Sequence, residues 1–155
     1  MIAVGRARRG PARDLFDDYA ARVAGLGPGL GFRGFELCEL SQSRAATPAE
    51  RLGEEGRAIL EAAGDARLCV LDERGDNAAS TELAHWLGAE RDAGTAELAF
   101  AVGGPDGIAE EVRARAARTI AFGRATWPHL LARAMIAEQI YRVLTILGRH
   151  PYHRL

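Results

Sequence analysis

Short, wholly apolar runs alternate with helix-like segments along this chain of 155 residues. Leu68–Leu71 and Leu98–Val102 contain no polar residue on either face. Strands buried on both faces and separated by helices are typical of a parallel sheet. Further strands are predicted at Ile2–Val4, Phe35–Leu40 and Thr119–Phe122. The sequence therefore predicts an α/β fold, with a mainly parallel sheet of five to six strands and helices on both faces.

Local signals predict where several helices begin and end. Thr47–Glu50 predicts a helix with Thr47 as N-cap, proline at the first helical position and a capping box, and this helix should end at Gly64. Ser80 is predicted to cap the next helix. Ile108–Ala117 is predicted to be helical as well.

The last thirty residues contain a helix that is too apolar to lie on a surface. Apolar residues between positions 130 and 147 occupy more than one stripe, so at least two faces must be buried. Arg133, Glu138 and Arg142 lie among them, and charged residues on such a helix are either paired or functional. The spacing of Glu138 and Arg142 is that of a helical i,i+4 pair.

An aromatic residue, a histidine and an arginine follow this helix near the end of the chain. Tyr152 could stack on a base, Arg154 could hold a phosphate, and His153 could move a proton near neutral pH. The alternative is a solvated tail.

Three loops should lie at the carboxyl edge of the sheet, where parallel α/β folds bind their ligands. They follow Leu71, Val102 and Phe122. Glycines in Gly103–Gly107 would let the backbone approach a ligand closely, or would simply allow a tight turn. Phe122–Trp127 could present backbone groups to a purine, or could be an ordinary connection with Trp127 packed on the core. The Gly103–Gly107 turn matches neither a dinucleotide-binding motif nor a P-loop motif.

Composition excludes some classes of function. A net charge of −1 argues against a protein that holds naked nucleic acid by charge alone. No apolar run is long enough for a membrane helix, and no signal peptide is seen, so a cytoplasmic protein without a membrane partner is predicted. Cys38 and Cys69 are expected to be buried thiols, and their spacing suggests no metal site.

Motifs spread along the whole chain resemble the RlmH family, which are small SPOUT-class methyltransferases. They are Leu71–Asp72–x–x–Gly75, Ser80–Thr81–Glu82–x–Ala84, Gly103–Gly107, Pro128–His129–x–x–x–Arg133, Glu138–Gln139–x–Tyr141–Arg142 and Pro151–Tyr152–His153–Arg154. One departure is Asp76, where many relatives have lysine after the glycine, which reverses a charge near the expected pocket.

The resemblance implies a single trefoil-knotted domain over residues 1–155 that forms a homodimer through its C-terminal helix. It implies S-adenosylmethionine as methyl donor, no metal, and methylation of N3 of a pseudouridine in 23S ribosomal RNA. Because the net charge is −1, we expect the substrate to be the assembled 70S ribosome rather than free RNA or DNA. The alternatives are a catalytically silent ribosome-assembly protein or a nucleotide-binding protein of the same fold.

The resemblance also assigns candidate residues. The expected donor-binding residues are Leu71, Gly103, Gly104, Phe122, Gly123, Arg124, Ala125, Thr126 and Trp127. Our hypothesis for the chemical step makes His153 the base, with Tyr152, Arg142 and Arg154 as the other catalytic residues. The expected substrate-binding residues are His129 and Glu138, together with Arg8 and Arg9, because a chain with a net charge of −1 must meet the RNA through local arginines.

Overall fold

The computed structural model describes residues 1–152. Five strands and five α-helices are formed in this part of the chain. In chain order they are β1 (Ile2–Val4), α1 (Pro11–Leu26), β2 (Cys38–Leu40), α2 (Pro48–Ala63), β3 (Arg67–Asp76), α3 (Ser80–Asp92), β4 (Leu98–Val102), α4 (Glu110–Arg115), β5 (Arg118–Ile120) and α5 (His129–Leu147). A 3₁₀ segment, Gly27–Leu30, follows α1.

The strands form one sheet in the order β2-β1-β4-β3-β5. The four strand pairings recorded within residues 1–152 are parallel. In the central pair, Val70 lies beside Ala101 and Leu71 beside Val102. The predicted α/β fold with a parallel sheet is confirmed.

The described chain divides into two compact units. The first contains the whole sheet, α2 and α4, and the second contains α1, α3 and nearly all of α5. The first is built from Met1–Ala7, Leu37–Asn77 and Glu97–His129, and the second from Arg8–Glu36, Ala78–Ala96 and the residues from Leu130 onward.

The core of the first unit lies between the sheet and helices α2 and α4. Leu68 and Val70 of β3 pack there with Ile59 of α2 and Val112 of α4, and all four are buried. Gly56 allows α2 to approach closely, because a Cβ at this position would come within 2.7 Å of the Ala109 Cβ. Burial of these side chains stabilises the packing of α2 next to the turn that follows β4.

In the second unit, α5 is buried along most of its length. Its buried residues include Ala134, Ile136, Val143 and Leu144, together with the charged Arg133, which is only 2% exposed. Leu131 and Met135 are half-buried. The prediction that this helix buries more than one face is consistent with that distribution. Within residues 1–152, no helix combines the length and the apolarity needed to cross a membrane.

The two predicted helix starts have different outcomes. At α2, the Thr47 hydroxyl accepts the Glu50 N–H at 3.2 Å and the Glu50 carboxylate accepts the Thr47 N–H at 3.0 Å, which confirms the capping box. At α3 the prediction for Ser80 was wrong, because Ala79 occupies the N-cap position. The Ser80 hydroxyl instead donates to the Gln139 side chain at 2.8 Å.

Three further predictions need correction. Helix α4 is limited to Glu110–Arg115, because the backbone is extended at Ala109 before it and at Ala116 after it. Strand β2 covers only Cys38–Leu40 and forms the edge of the sheet, so Cys38 is exposed rather than buried. Cys69 is buried as expected, and burial raises the pKa of its thiol to about 12.

Strand β3 continues past the predicted loop start at Asp72. Both Leu71 and Asp76 pair with Ile120 of β5, so the residues between them form a bulge. Gly75 lies directly against the backbone of Ile120, since a Cβ at Gly75 would be 2.5 Å from the Ile120 carbonyl carbon. Only glycine fits at this contact.

Candidate functional site

The carboxyl ends of three neighbouring strands place three loops along one edge of the sheet. β3 lies between β4 and β5, and all three strands are parallel. The sequence-predicted donor-binding residues lie at this edge: Gly103 and Gly104 follow β4, and the loop of residues 122–127 follows β5. Leu71 lies within β3 and pairs with Val102 and Ile120, the last residues of β4 and β5. All of them are in the first unit. This edge is the candidate ligand site.

The glycine turn after β4 is packed tightly on itself. A Cβ on Gly103 would lie 2.1 Å from the Gly107 carbonyl oxygen. The Gly107 N–H donates to the Gly104 carbonyl at 3.0 Å, and Gly107 has a φ of 94°. The tight turn therefore explains these glycines by itself, without requiring the close approach of a ligand.

Arg113 of α4 joins Asp72 of β3 to Ile108, which follows the turn after β4. One of its guanidinium nitrogens lies 2.8 Å from the Asp72 carboxylate and also donates to the Ile108 carbonyl. Another lies 2.8 Å from Glu110. The hydrogen bond to Glu110, followed by the interactions with Asp72, raises the pKa of Arg113. Because the Asp72 side chain is only 6% exposed, this ion pair is largely shielded from water.

Replacing Arg113 with alanine should lower the free energy of unfolding by about 2–3 kcal/mol, because it leaves the shielded Asp72 carboxylate without its cation. Urea denaturation of the purified protein would measure this change. Asp72→Asn combined with Arg113→Ala is the informative control, since removing both charges should restore part of the loss. An equal loss in the single and double variants would contradict the pairing.

A second ion pair holds the glycine turn against α2. The Arg51 guanidinium donates to both Asp106 carboxylate oxygens, at 2.6 and 3.1 Å. It also donates to the Ala45 carbonyl at 3.2 Å. The hydrogen bond from Arg51 lowers the pKa of the Asp106 carboxyl.

This pairing predicts a pH dependence of stability. A carboxyl whose pKa is lower in the folded than in the unfolded state stabilises the fold above its unfolded pKa, and this contribution is lost as pH falls through the folded pKa. Asp106→Asn should therefore be less stable than the wild type at neutral pH, and the difference should shrink as the solution becomes acidic. Thermal unfolding across that pH range would measure it. A difference independent of pH would show that the charge of Asp106 is not the cause.

Glu55 is a buried acid beside the same turn. Its side chain is 4% exposed in total, and Oε1 accepts the Ser43 N–H at 3.0 Å. Oε2 is buried and has no hydrogen-bond partner among residues 1–152. This oxygen lies 2.6 Å from the position that a Cβ on Gly104 would occupy.

Sequence reasoning missed Glu55, Arg51 and Arg113. Glu55 had a detectable signal, because its spacing from Leu52 and Ile59 places it on the apolar stripe of α2, where a charged residue is unusual. No sequence signal identifies Arg51 or Arg113, because their ion-pair partners are distant in the sequence.

The loop after β5 is held by one hydrogen bond within the loop and one to Asn77, which follows β3. The Trp127 indole N–H donates to the Phe122 carbonyl at 2.9 Å, and the Gly123 N–H donates to the Asn77 side chain at 2.8 Å. Trp127 is 43% exposed, so the alternative in which it packs on the core is wrong. The residues from Gly123 to Trp127 are exposed, and His129, the first residue of α5, is half-buried. The Phe122 carbonyl and the Gly123 N–H are engaged within the chain, so the part of the loop that is open to a ligand is residues 124–127.

In the second unit, three of the predicted catalytic and substrate-binding residues lie together. The Tyr152 hydroxyl donates to Glu138 Oε1 at 3.2 Å, and the Arg142 guanidinium donates to the same oxygen. The Arg142 guanidinium carbon is 5.2 Å from the centre of the Tyr152 ring. Tyr19, which sequence reasoning did not select, has its hydroxyl 3.3 Å from that of Tyr152.

These contacts determine what the cluster can do chemically. The hydrogen bond with Tyr19, partial burial and the negative charge of Glu138 raise the pKa of Tyr152. Tyr152 therefore stays protonated near neutral pH and can donate a hydrogen bond, but it is not suited to act as a base. Glu138 also accepts from Gln139 at 2.7 Å, so its carboxylate is engaged within the chain.

The remaining predicted residues are separate from this cluster or lie outside the description. Arg8 and Arg9 are exposed in the segment before α1. His153 and Arg154 lie outside the described residues, and their proposed roles stay predictions. Within residues 1–152, no group of histidine, cysteine, aspartate or glutamate side chains is arranged to hold a metal ion.

Comparison with known proteins gives a match over nearly the whole chain. The sequence profile of a family described as "Predicted SPOUT methyltransferase" matches residues 1–153. A protein of Nitrobacter hamburgensis named ribosomal RNA large subunit methyltransferase H is 48% identical over 155 residues, covering 99% of this chain and 97% of that protein. A protein of the same name from a Bradyrhizobium species is 49% identical with the same coverage. A third, from a Chelativorans species, is 48% identical and covers 98% of this chain and 88% of its own length.

Proposed function

The chain belongs to the SPOUT methyltransferase family, and on that premise we propose that it methylates 23S ribosomal RNA, using S-adenosylmethionine as donor. We further propose that the acceptor is N3 of a pseudouridine and that the substrate is the assembled 70S ribosome. The names of the relatives support ribosomal RNA of the large subunit as the substrate class. The net charge of −1 favours a folded assembly over free RNA.

The observation that carries this proposal is the line of three loops at the carboxyl ends of β4, β3 and β5. Their residues suit a nucleoside that is bound mainly through backbone groups. The turn at Gly103–Gly104 exposes no bulky side chain, and the loop from Gly123 to Trp127 is exposed. Glu55, with one buried oxygen that lacks a partner, suits a donor that carries positive charge. Leu71, Gly103, Gly104 and the loop of residues 122–127 would hold the donor.

When bound, S-adenosylmethionine supplies a sulfonium methyl group as the electrophile. The protein must then remove the proton from N3 of the pseudouridine and hold that nitrogen in line with the methyl group. We propose that His153 is the base that accepts this proton. Tyr152, which stays protonated, would orient the base by donating a hydrogen bond or by stacking.

The cationic residues would hold the oxygens of the nucleotide. Arg142 is charged, as arginines are at neutral pH, and the hydrogen bond with Glu138 raises its pKa further. Arg154, together with Arg8, Arg9 and His129, would contact phosphates or the base. Glu138 contributes by holding Arg142 and Tyr152 in place, since its carboxylate already accepts hydrogen bonds from both.

We also propose a homodimer that contacts through α5, and a trefoil knot in the sheet unit. Leu131 and Met135 of α5 are half-buried in the single chain, which supports a further partner surface on this helix. Sedimentation at several protein concentrations would measure the dimer.

The decisive experiment measures transfer of a labelled methyl group from S-adenosylmethionine to 70S ribosomes that lack the modification. Label at N3 of a pseudouridine in 23S RNA, with little label in the same RNA free of protein, is the expected result. Labelling of free RNA as efficiently as of ribosomes would overturn the proposed substrate form. Tight donor binding without label in either substrate would favour a silent assembly protein, and affinity for ATP over S-adenosylmethionine would favour a nucleotide-binding protein.

A further inference from the structure

We propose that Glu55 makes the donor site selective for charge, so that it binds the cationic sulfonium donor more tightly than the neutral thioether product. The inference rests on the proposed function, because it assumes that the edge beside Gly104 binds S-adenosylmethionine. It adds a specificity-determining residue to that site. Glu55 is not among the residues that the family resemblance selects.

The position of the side chain supports this role. Glu55 is 4% exposed, and the Ser43 N–H holds its Oε1 at 3.0 Å. Oε2 therefore has a fixed direction, toward Gly104, at 2.6 Å from the place of a Cβ. A buried acceptor that lacks a partner costs free energy, and such groups in folded proteins usually have a reason. A cationic ligand at the turn would compensate this cost.

In the part of the chain that the structure describes, no cation donates a hydrogen bond to Glu55 Oε2. Arg51, one turn earlier on α2, attracts Glu55 electrostatically. Its guanidinium hydrogen bonds, however, go to both oxygens of Asp106 and to the Ala45 carbonyl. Because Arg51 and Asp106 form a neutral pair, the three side chains together keep one negative charge beside Gly104. Because water is excluded from the Glu55 side chain, its field on a nearby ligand is weakly screened.

A fixed negative charge distinguishes the donor from the product. S-adenosylmethionine and S-adenosylhomocysteine share their adenosine, amino and carboxylate groups, and they differ by the methyl group and the sulfonium charge. When the methyl group moves to N3 and the N3 proton is lost, the sulfur becomes a neutral thioether. The attraction to Glu55 disappears at that moment, which favours release of the product.

The test compares the two affinities on the same protein by calorimetry. Glu55→Gln removes the charge and keeps an oxygen for the Ser43 N–H. We expect it to lower the preference for S-adenosylmethionine over S-adenosylhomocysteine by about tenfold, the order of magnitude for one unit charge at a partly buried site. Glu55→Asp should retain much of the preference. The ratio is insensitive to partial unfolding, because unfolded protein lowers both affinities equally.

Glu61→Gln is the matched control, since Glu61 is exposed on the same helix and its loss changes the net charge equally. Its affinity ratio should equal that of the wild type. An unchanged ratio in Glu55→Gln, or an equal loss of both affinities, would overturn the inference and leave Glu55 a structural role. Failure of the wild type to bind either compound would instead refute the proposed function.

Discussion

Replacing Gly103 with alanine should abolish donor binding and lower the free energy of unfolding by roughly 3 kcal/mol. The added Cβ would lie 2.1 Å from the Gly107 carbonyl oxygen and 2.8 Å from its carbon. Both are backbone atoms of the same turn, so no side-chain rotation can relieve the contact. The turn must open, and the backbone groups that are expected to face the donor then move with it.

Calorimetry with S-adenosylmethionine and urea denaturation would measure these two effects. Gly53→Ala is the matched control, since Gly53 lies within α2 and a Cβ there meets nothing within 4 Å. This substitution should raise stability by about 0.5–1 kcal/mol, because alanine favours helix more than glycine does. Normal donor binding by Gly103→Ala would show that this turn is not part of the donor site.

Replacing His153 with alanine should lower the rate of methyl transfer to ribosomes by about 10²–10⁴-fold, the usual contribution of a general base. Donor affinity should change little, since the base is expected to act on the nucleotide. Single-turnover transfer from labelled S-adenosylmethionine would measure the rate. The wild-type rate should also fall at acidic pH, where a protonated histidine cannot accept the N3 proton.

Tyr152→Phe gives the contrasting control, because it keeps the ring and removes the hydroxyl that contacts Glu138. We expect a smaller loss than for His153→Ala, since a tyrosine with a raised pKa orients the substrate and does not accept its proton. Equal rates in His153→Ala and the wild type would keep the methyltransferase and reject the assigned base.

In the sheet unit, the elements that could be predicted are those determined by residues close together in the chain. The capping box at Thr47 is formed by residues three apart, and the apolar runs that became β3 and β4 have few alternatives to a buried strand. The location of three loops at one edge then followed from parallel strands alone.

What the sequence did not indicate depends on strand order and on distant contacts. Cys38 lies in an apolar run, yet it is exposed because β2 is the edge strand. The pairs Arg113–Asp72 and Arg51–Asp106 join residues 41 and 55 positions apart, and no local pattern links them. Ser80 was predicted as an N-cap, but its hydroxyl donates a hydrogen bond to Gln139, which is distant in the sequence.

The strand order also has a consequence for folding during synthesis. β4 pairs with both β1 and β3, although it follows them in the chain. Before β4 leaves the ribosome, the available strand pairing is between β1 and β2, with three residues each, which is too short to be stable alone. The apolar segment of β3 is therefore synthesised before its pairing strands β4 and β5, and until they follow, it can associate with other apolar segments. The sheet that is proposed to modify ribosomes can form only late in the chain's own translation.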